Sequence, residues 1–545
     1  MNRFSSCALG RFFLLCGLGI AASNNATGAF AAGDMQPSAT DEPMVTGKFE
    51  PSWDSLAQYQ TPEWFRDAKF GIWAHWTAQC VPEQGDWYAR KMYIQGTPEK
   101  PGSDYQYQCE HYGHPSKVGF KDIDNLWHAE KWDPEKLIEL YKRAGAQYFV
   151  ALANHHDNFD CFDSKYQPWN SVNIGPKKDI VGLWAKAARA AGLKFGVTVH
   201  AARTWRWFEV AQGSDSFGPL AGVPYDGKMT KADGKGLWWE GYDPADLYAQ
   251  NHPIGADPDQ AYCDKFYNRT LDLVAKYKPD LLYFDDGVLP LRASGEQFGL
   301  KIAADLYNTS ARDNGGQVQA VMNTKGLNAE QRKCLVWDIE RGLADNIEPF
   351  AWQTDTCIGG WHYDIHTFEN HTYKSPQLVV QMLSDIVSQN GNLLLNVPLK
   401  GDGTIDSDEE VVLKGLASWM DVNKEAIFSS RPWKVYGEGP STIKAPTTQK
   451  HGGFNERGRK YTAADIRYTT KGDTLYAIVL GWPEGGSIEI KALGNQSPQA
   501  FGKVASVKML GSDESIHFEQ GDDALKVTFP SKKPCDYAYV LKIDR

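Results

Sequence analysis

Lys278-Pro279-Asp280-Leu281-Leu282-Tyr283-Phe284-Asp285-Asp286-Gly287 opens like the tail of a helix, continues as a short apolar run and ends in an acidic turn. A run of this length suits a strand buried on both faces, as in the parallel core of an α/β protein. Side chains alternate along a strand, so Leu281, Tyr283 and Asp285 share one face, while Leu282, Phe284 and Asp286 share the other. In a (β/α) barrel, Asp285 would sit at the C-terminal end of its strand, where such barrels carry their chemistry. Taken alone, the two aspartates would more simply begin a loop. The flanking chain reverses that.

Upstream, helical spacing over Ala261 to Tyr277 feeds this strand. The insertion before it, Gly213 to Pro253, is rich in Gly, Asp and Trp and is expected to form a lid or a wall of a site. Earlier still, Phe195 to Val199 is a strand ending at His200, and Val181 to Ala191 is a helix. Tyr148 to Ala153 is a strand leading into Asn154-His155-His156-Asp157. Glu135 to Ala144 has helical spacing closed by Gly145. Phe70 to Ala74 is an apolar strand ending at His75, and a loop carrying Asp86-Trp87 follows. Downstream, Val318 to Met322 precedes Asn323, and Leu335 to Trp337 precedes Asp338-Ile339-Glu340-Arg341. The segment Trp352 to Trp361 comes next. Helix Ser375 to Ser388 then leads into Asn390 to Val397, the expected last barrel strand. Strands alternate with helices, and polar or aromatic groups recur at the same strand ends. A barrel mouth has that pattern, and a purely structural core does not produce it.

A helix over Glu409 to Asn423 follows, and after Arg431-Pro432-Trp433 the texture changes. Asp473 to Trp482, Ser487 to Leu493, Val504 to Leu510, Ile516 to Glu519, Leu525 to Phe529 and Tyr537 to Ile543 are short strand-like runs separated by Gly or Asp turns. The expected fold class is therefore α/β: a (β/α)8-like TIM barrel catalytic domain over 48–428, followed by a C-terminal antiparallel β-sandwich over 429–545.

The 545 residues carry a net charge of −11, and no basic block offsets it, which argues against a nucleic-acid partner. Nineteen Trp, 25 Tyr and 24 Phe suit the apolar faces of sugars but equally fill a large core. The N-terminus reads as an export signal over 1–31: Arg3 and Arg11, an apolar run from Phe12 to Ala22, and Ala29-Phe30-Ala31 as the cleavage site. Cys16 is a poor lipoprotein site, because Phe13-Leu14-Leu15 before it are not small. Residues 32–47 read as a flexible lead-in. No stretch is long and apolar enough for a membrane span, so a periplasmic or secreted protein is expected. Beyond the signal, Cys80, Cys109, Cys161, Cys263, Cys334, Cys357 and Cys535 show no Cys-x-x-Cys spacing, and an odd number leaves at least one free thiol. Nothing in the sequence speaks to oligomeric state.

Phe70 to Trp76, His155-His156-Asp157, Pro279 to Gly287, Asn390 to Asn396 and Gly401-Asp402-Gly403-Thr404-Ile405 together resemble glycoside hydrolase family 29, the retaining α-L-fucosidases. The resemblance covers most of the chain. It implies an exo-acting enzyme that releases terminal L-fucose from a fucosylated oligosaccharide or polysaccharide without metal or cofactor. A retaining glycosidase needs two carboxyl groups ~5–5.5 Å apart. The family's nucleophile falls on Asp285; Asp286, where Gly is more usual, is its competitor. Glu340 matches the acid/base best, with Glu348 in reserve. The resemblance further implies sugar contacts from His75, His155, His156 and His200, from Asp86 and Trp87, and from Tyr283 on the inward face. Asp86 stands where the family often has Glu. Lys325 stands where a sugar-binding Arg is expected, and Lys cannot supply the bidentate fork. Trp352 and Trp361 are candidates for stacking on the sugar or are core.

Three other readings stay open. An α-L-galactosidase would act on a sugar differing only at C6, and a pocket rejects an added hydroxyl there modestly. A metal-dependent hydrolase could use His-His-Asp and Asp-Asp at strand ends. A non-catalytic glycan-binding protein on the same barrel is the third.

Overall fold

The computed structural model describes residues 35–38, 42–442, 455–456 and 460–545. The expected export signal lies outside them. Eight parallel strands close into a barrel: β1 (Phe70–Ala74), β2 (Tyr148–Asn154), β3 (Lys194–Val199), β4 (Leu281–Gly287), β5 (Val321–Lys325), β6 (Val336–Glu340), β7 (Trp352–Cys357) and β8 (Gly391–Asn396). Each pairs with its sequence neighbours, and β8 returns to β1 with Phe70 opposite Leu393. β1 to β4 and β8 read as largely apolar runs because the barrel interior covers one face and the surrounding helices the other. Close packing fixes the small residues too: a Cβ on Gly71 would come within 2.3 Å of the Tyr148 ring.

Local chemistry sets the helix ends. Asp133 caps helix Pro134–Arg143 by accepting from the Lys136 amide, with Pro134 in the first turn. Gly145, at φ 110°, lets the chain turn away after it. Asp259 caps helix Gln260–Tyr277, which delivers the chain to β4.

The alternation of strand and helix is incomplete. Only a 3-10 turn, Gln331–Lys333, separates β5 from β6, and no helix separates β6 from β7. The N-terminal segment takes part of that side. Tyr59 stacks on Tyr307 and donates to the Ala320 carbonyl, and Cys334 Sγ donates to the Trp53 carbonyl. The chain just before it, which composition presents as a flexible lead-in, is also anchored: the Val45 amide donates to Asp305 Oδ1 at 2.6 Å.

Two strands differ from the sequence expectation. β5 begins three residues after Val318 and runs to Lys325, and β6 continues through Asp338 to Glu340. Polar residues extend a strand near a barrel mouth, so an apolar criterion ends it too early. Among the described residues no helix is long and apolar enough to cross a membrane, and all seven cysteines are free thiols.

The C-terminal part is a two-layer antiparallel structure, with strands β9 (Arg431–Glu438), β10 (Ile466–Lys471), β11 (Thr474–Val479), β12 (Ser487–Ile490), β13 (Ser506–Met509), β14 (His517–Gln520), β15 (Leu525–Thr528) and β16 (Tyr539–Asp544). One sheet has the order β9-β10-β11-β16-β13, the other β12-β15-β14. The sequence pattern did not mark β9 or β10. A second apolar core lies between the sheets, with Ile490, Leu525, Val527 and Leu541 fully buried in it. Helix Pro376–Ser388 of the barrel packs against β9 and β10, and a buried Arg467–Asp385 pair joins them at 2.6 Å.

Candidate active site

The strand ends converge on a cavity of about 430 Å³. β1 contributes Trp73 and His75, and the Asn396 side chain at the end of β8 accepts from the His75 amide at 2.8 Å. β2 ends in His155 and His156. Gln79 Nε2 sits 3.0 Å from His155 Nδ1 and donates to Asp157 Oδ2 at 2.8 Å, which fixes the His155 ring. His156 Nδ1 donates to the His200 carbonyl at 2.8 Å, so its Nε2 faces Asp285 Oδ2 at 3.4 Å. Beyond β3, His200 Nδ1 lies 3.5 Å from the same oxygen.

Lys325 on β5 stands between the two expected catalytic carboxylates. Its Nζ is 2.5 Å from Asp285 Oδ1 on β4 and 2.5 Å from Glu340 Oε2 on β6. The two oxygens are therefore separated by no more than twice that distance. Burial alone would raise the Asp285 pKa, but the Lys325 charge and the hydrogen bonds of His156 and His200 outweigh it and hold the carboxyl well below its usual range. Burial likewise works against the Lys325 cation, yet Asp285, Asp355, Glu340 and Asp338 raise its pKa. Desolvation pushes His200 down to about 4, and burial with neighbouring imidazoles pushes His75 and His155 well below the ordinary histidine value. These three rings are neutral near pH 7.

Asp286 points to the other face of β4, as strand parity requires, and pairs with Arg203 Nε at 3.2 Å. Burial and the neighbouring Asp285 raise its pKa, against the pull of Arg203, to about 6. Asp86 lines the cavity, and its Oδ1 accepts the His362 amide at 2.8 Å. Trp87 is 46% exposed at the lip, in a left-handed conformation at φ 68°. Trp361 lines the wall beside Trp73, with Arg341 5.0 Å over its ring.

Two expected sugar contacts fall elsewhere. Trp352 opens β7, at the end of the barrel opposite the mouth. It is buried there against Gly391 and donates its indole N–H to the Gln389 carbonyl at 2.9 Å, so it is core. Tyr283 faces inward but lies one layer below the cavity, with its hydroxyl 3.1 Å from Asp355 Oδ2 and 3.3 Å from Asp338 Oδ2. Glu348 also lies away from the mouth: it pairs with Arg332 at 2.9 Å, and its amide donates to Gln389. The insertion Gly213 to Pro253 contributes no residue to this cavity. Its Asp226 is buried and accepts from Tyr93 and Lys121, and Trp238 donates to Asp122, so it packs as a buttress on the 93–122 segment.

Arg203, Trp73, Arg341 and Asp355 also line the cavity without having been singled out as site residues by the sequence. Trp73 is the inward-facing aromatic two residues before His75, a position that alternation could have supplied. Arg203 follows β3 in a short turn that carries no motif. Ring nitrogens of His75, His155 and His200 lie within 4.8 Å of one another, as do ligand atoms of His156, His200 and Asp285, and these two sets could hold a metal ion.

A barrel mouth that joins two nearby carboxylates to a cluster of imidazoles and indoles has the equipment of a glycoside hydrolase. Comparison with known proteins gives the family. The profile described as Alpha-L-fucosidase matches residues 37–425, and that of the Alpha-L-fucosidase C-terminal domain matches residues 459–544. The chain belongs to the α-L-fucosidase family and is an α-L-fucosidase. It is 26% identical to the tissue alpha-L-fucosidase of Rattus norvegicus over 508 residues, covering 91% of this chain and 93% of the relative. It is also 26% identical to the Homo sapiens tissue enzyme, with 91% and 92% covered. The Thermotoga maritima alpha-fucosidase in complex with fucose superimposes with a TM-score of 0.64 at 27% identity, over 91% of this chain and 99% of that one. The structure of that enzyme with a mechanism-based inhibitor gives 0.67 at 27% identity, over 91% and 100%.

Proposed function

We propose that the chain removes terminal α-L-fucosyl residues from glycans with retention, using Asp285 as nucleophile and Glu340 as acid/base. The bridge from Lys325 to both carboxylates carries this reading, because it holds their oxygens within the separation that a retaining mechanism uses, ~5–5.5 Å between carboxyl groups. In the first step an Asp285 oxygen attacks C1. The C1–O bond breaks toward the leaving oxygen, which takes the Glu340 proton. In the second step water attacks C1, gives a proton to the Glu340 carboxylate and expels Asp285. The depressed pKa of Asp285 keeps the nucleophile ionised. His75 Nδ1 and His200 Nε2 are buried without a hydrogen-bond partner among the described residues, so sugar hydroxyls would satisfy them. Trp73 and Trp361 offer the apolar wall that a C6 methyl group requires. The signal-like N-terminus supports export, so the natural substrates would be extracytoplasmic fucosylated glycans.

Hydrolysis of a chromogenic α-L-fucoside by the wild type and by Asp285→Ala, with azide added to the variant, tests this. Expected are wild-type turnover, a loss of more than about 10³-fold in the variant, and rescue by azide with β-fucosyl azide as product. A variant that keeps its rate would pass the role to another carboxylate, Asp286 first.

A further inference from the structure

A second cavity, of about 520 Å³, adjoins the catalytic one and shares Asp86 and Arg341 with it. It opens past Arg341, the residue after Glu340, and so lies on the acid/base side of the mouth. If Glu340 protonates the leaving oxygen, the leaving group departs toward this side and away from Asp285. The inference below rests on that reading.

The charged residues of its wall are Asp86, Arg341, Lys374 and Glu456, two carboxylates against two cations. Glu456 does not belong to the barrel. It comes from the connection between β9 and β10 of the C-terminal part, and the mechanism above does not use it. Its carboxylate is 4% exposed, with Oε1 3.0 Å from Lys374 Nζ and 3.8 Å from Arg341 Nη1. Thr356 Oγ1 donates to Oε2 at 2.6 Å. Two further hydrogen bonds pin the same point of the chain: the Glu456 amide donates to the Arg341 carbonyl at 3.1 Å, and the Leu343 amide donates to the Asn455 side-chain Oδ1 at 2.9 Å. Without Glu456, Arg341 and Lys374 would leave the cavity net positive. With it, the wall is balanced, and Thr367 and Thr372 add hydroxyls suited to an uncharged polar ligand.

We propose that this second cavity receives the sugar of the leaving group, and that Glu456 makes it select an uncharged sugar over an anionic one such as a uronic acid. Glu456 and Asp86 cancel the two cations that would otherwise draw an anionic leaving group in, which removes the attraction an anion would need.

Two aryl fucosides test this: 4-nitrophenyl α-L-fucoside and its 3-carboxy derivative, compared by kcat/KM in the wild type, Glu456→Gln and Lys374→Gln. The ratio of neutral to anionic substrate is the readout. Relative to the wild type it should fall by about threefold or more in Glu456→Gln and rise in Lys374→Gln. A ratio that is the same in all three enzymes, with the neutral substrate still cleaved, overturns the inference and leaves the fucosidase reading standing. Should Glu456→Gln fail to fold, Lys374→Gln decides alone. A wild type that cleaves neither substrate overturns the fucosidase reading and this inference with it.

Discussion

Lys325 holds together the charges on which the proposed chemistry depends. An arginine fork would favour bidentate contact with a single carboxylate, whereas a compact ammonium can bridge two from one nitrogen. That geometry was not legible in the sequence, which placed Lys325 as a sugar ligand only. Asp285 was legible, because strand parity and the end of an apolar run fix its position. The histidines were legible for the same reason, each ending a strand or starting the turn after one. Removing the cation in Lys325→Met should lower kcat/KM by about 10²-fold. It should also move the pH profile. The Lys325 charge favours ionised Asp285, so its loss favours the protonated form, and the acid limb of kcat/KM should shift to higher pH. An acid limb that stays in place while activity falls would show that Lys325 acts on the sugar and not on the nucleophile.

Among the elements, β6 and β7 carry the least sequence signal and much of the site. β7 is fully buried yet reads Trp-Gln-Thr-Asp-Thr-Cys, and no hydropathy pattern marks such a strand. Several of its polar side chains are paired inside the protein: Gln353 Nε2 donates to Asp338 Oδ1 at 2.9 Å, and Thr354 Oγ1 donates to the Gly342 carbonyl at 2.6 Å. The strands β1, β2, β3 and β8 were readable because each holds a run of apolar residues before the polar groups at the mouth. Asp338 on β6 and Asp355 on β7 lie in adjoining strands beneath Lys325. Burial raises both pKa values, that of Asp338 to about 6, and mutual repulsion adds to the rise in Asp355. A raised folded-state value means that the native protein holds the proton more tightly than the unfolded chain does. The stability this contributes is complete below the unfolded aspartate value of about 3.9, and is lost as pH rises through about 6. Asp338→Asn cannot ionise and removes the repulsion on Asp355. Urea titrations should therefore show its stability falling less between pH 4.5 and 7.5 than that of the wild type, by about 1–3 kcal/mol. Equal slopes for the two proteins would mean that the pair does not hold a proton in this range.

At the scale of the whole molecule, the sandwich is seated on the barrel through helix Pro376–Ser388. The sequence indicated two regions but not this seat, because β9 and β10, which form it, gave no clear strand pattern. Arg467 and Asp385 meet there with both side chains fully buried, and Arg467 also donates to Ser441 Oγ. Gln381 Nε2 donates to the Leu480 carbonyl at 2.7 Å, and Trp419 donates to the Ala538 carbonyl at 2.9 Å. Apolar side chains of β11 and β16, among them Ile478 and Val540, belong to the same continuous core as the barrel. A seat of this kind couples the two parts energetically, so they should unfold in one transition. It also makes the ion pair a sensitive probe. Removing Arg467 takes the cation from the buried Asp385 carboxylate, which still accepts from the Tyr461 hydroxyl at 2.9 Å, and removing Asp385 takes the carboxylate from the buried guanidinium. Breaking a buried pair in this way costs about 3–5 kcal/mol, whereas replacing both by apolar groups is far milder. Arg467→Met and Asp385→Leu should each destabilise by about that amount in urea melts. The double variant should lose much less than the sum, because each single change already forfeits the same pairing. Tryptophans occur in both parts, with Trp184 in the barrel and Trp433 in β9, so fluorescence reports on both. Additive losses, or two separate transitions in the wild type, would mean that the sandwich folds independently of the barrel and that the pair does not couple them.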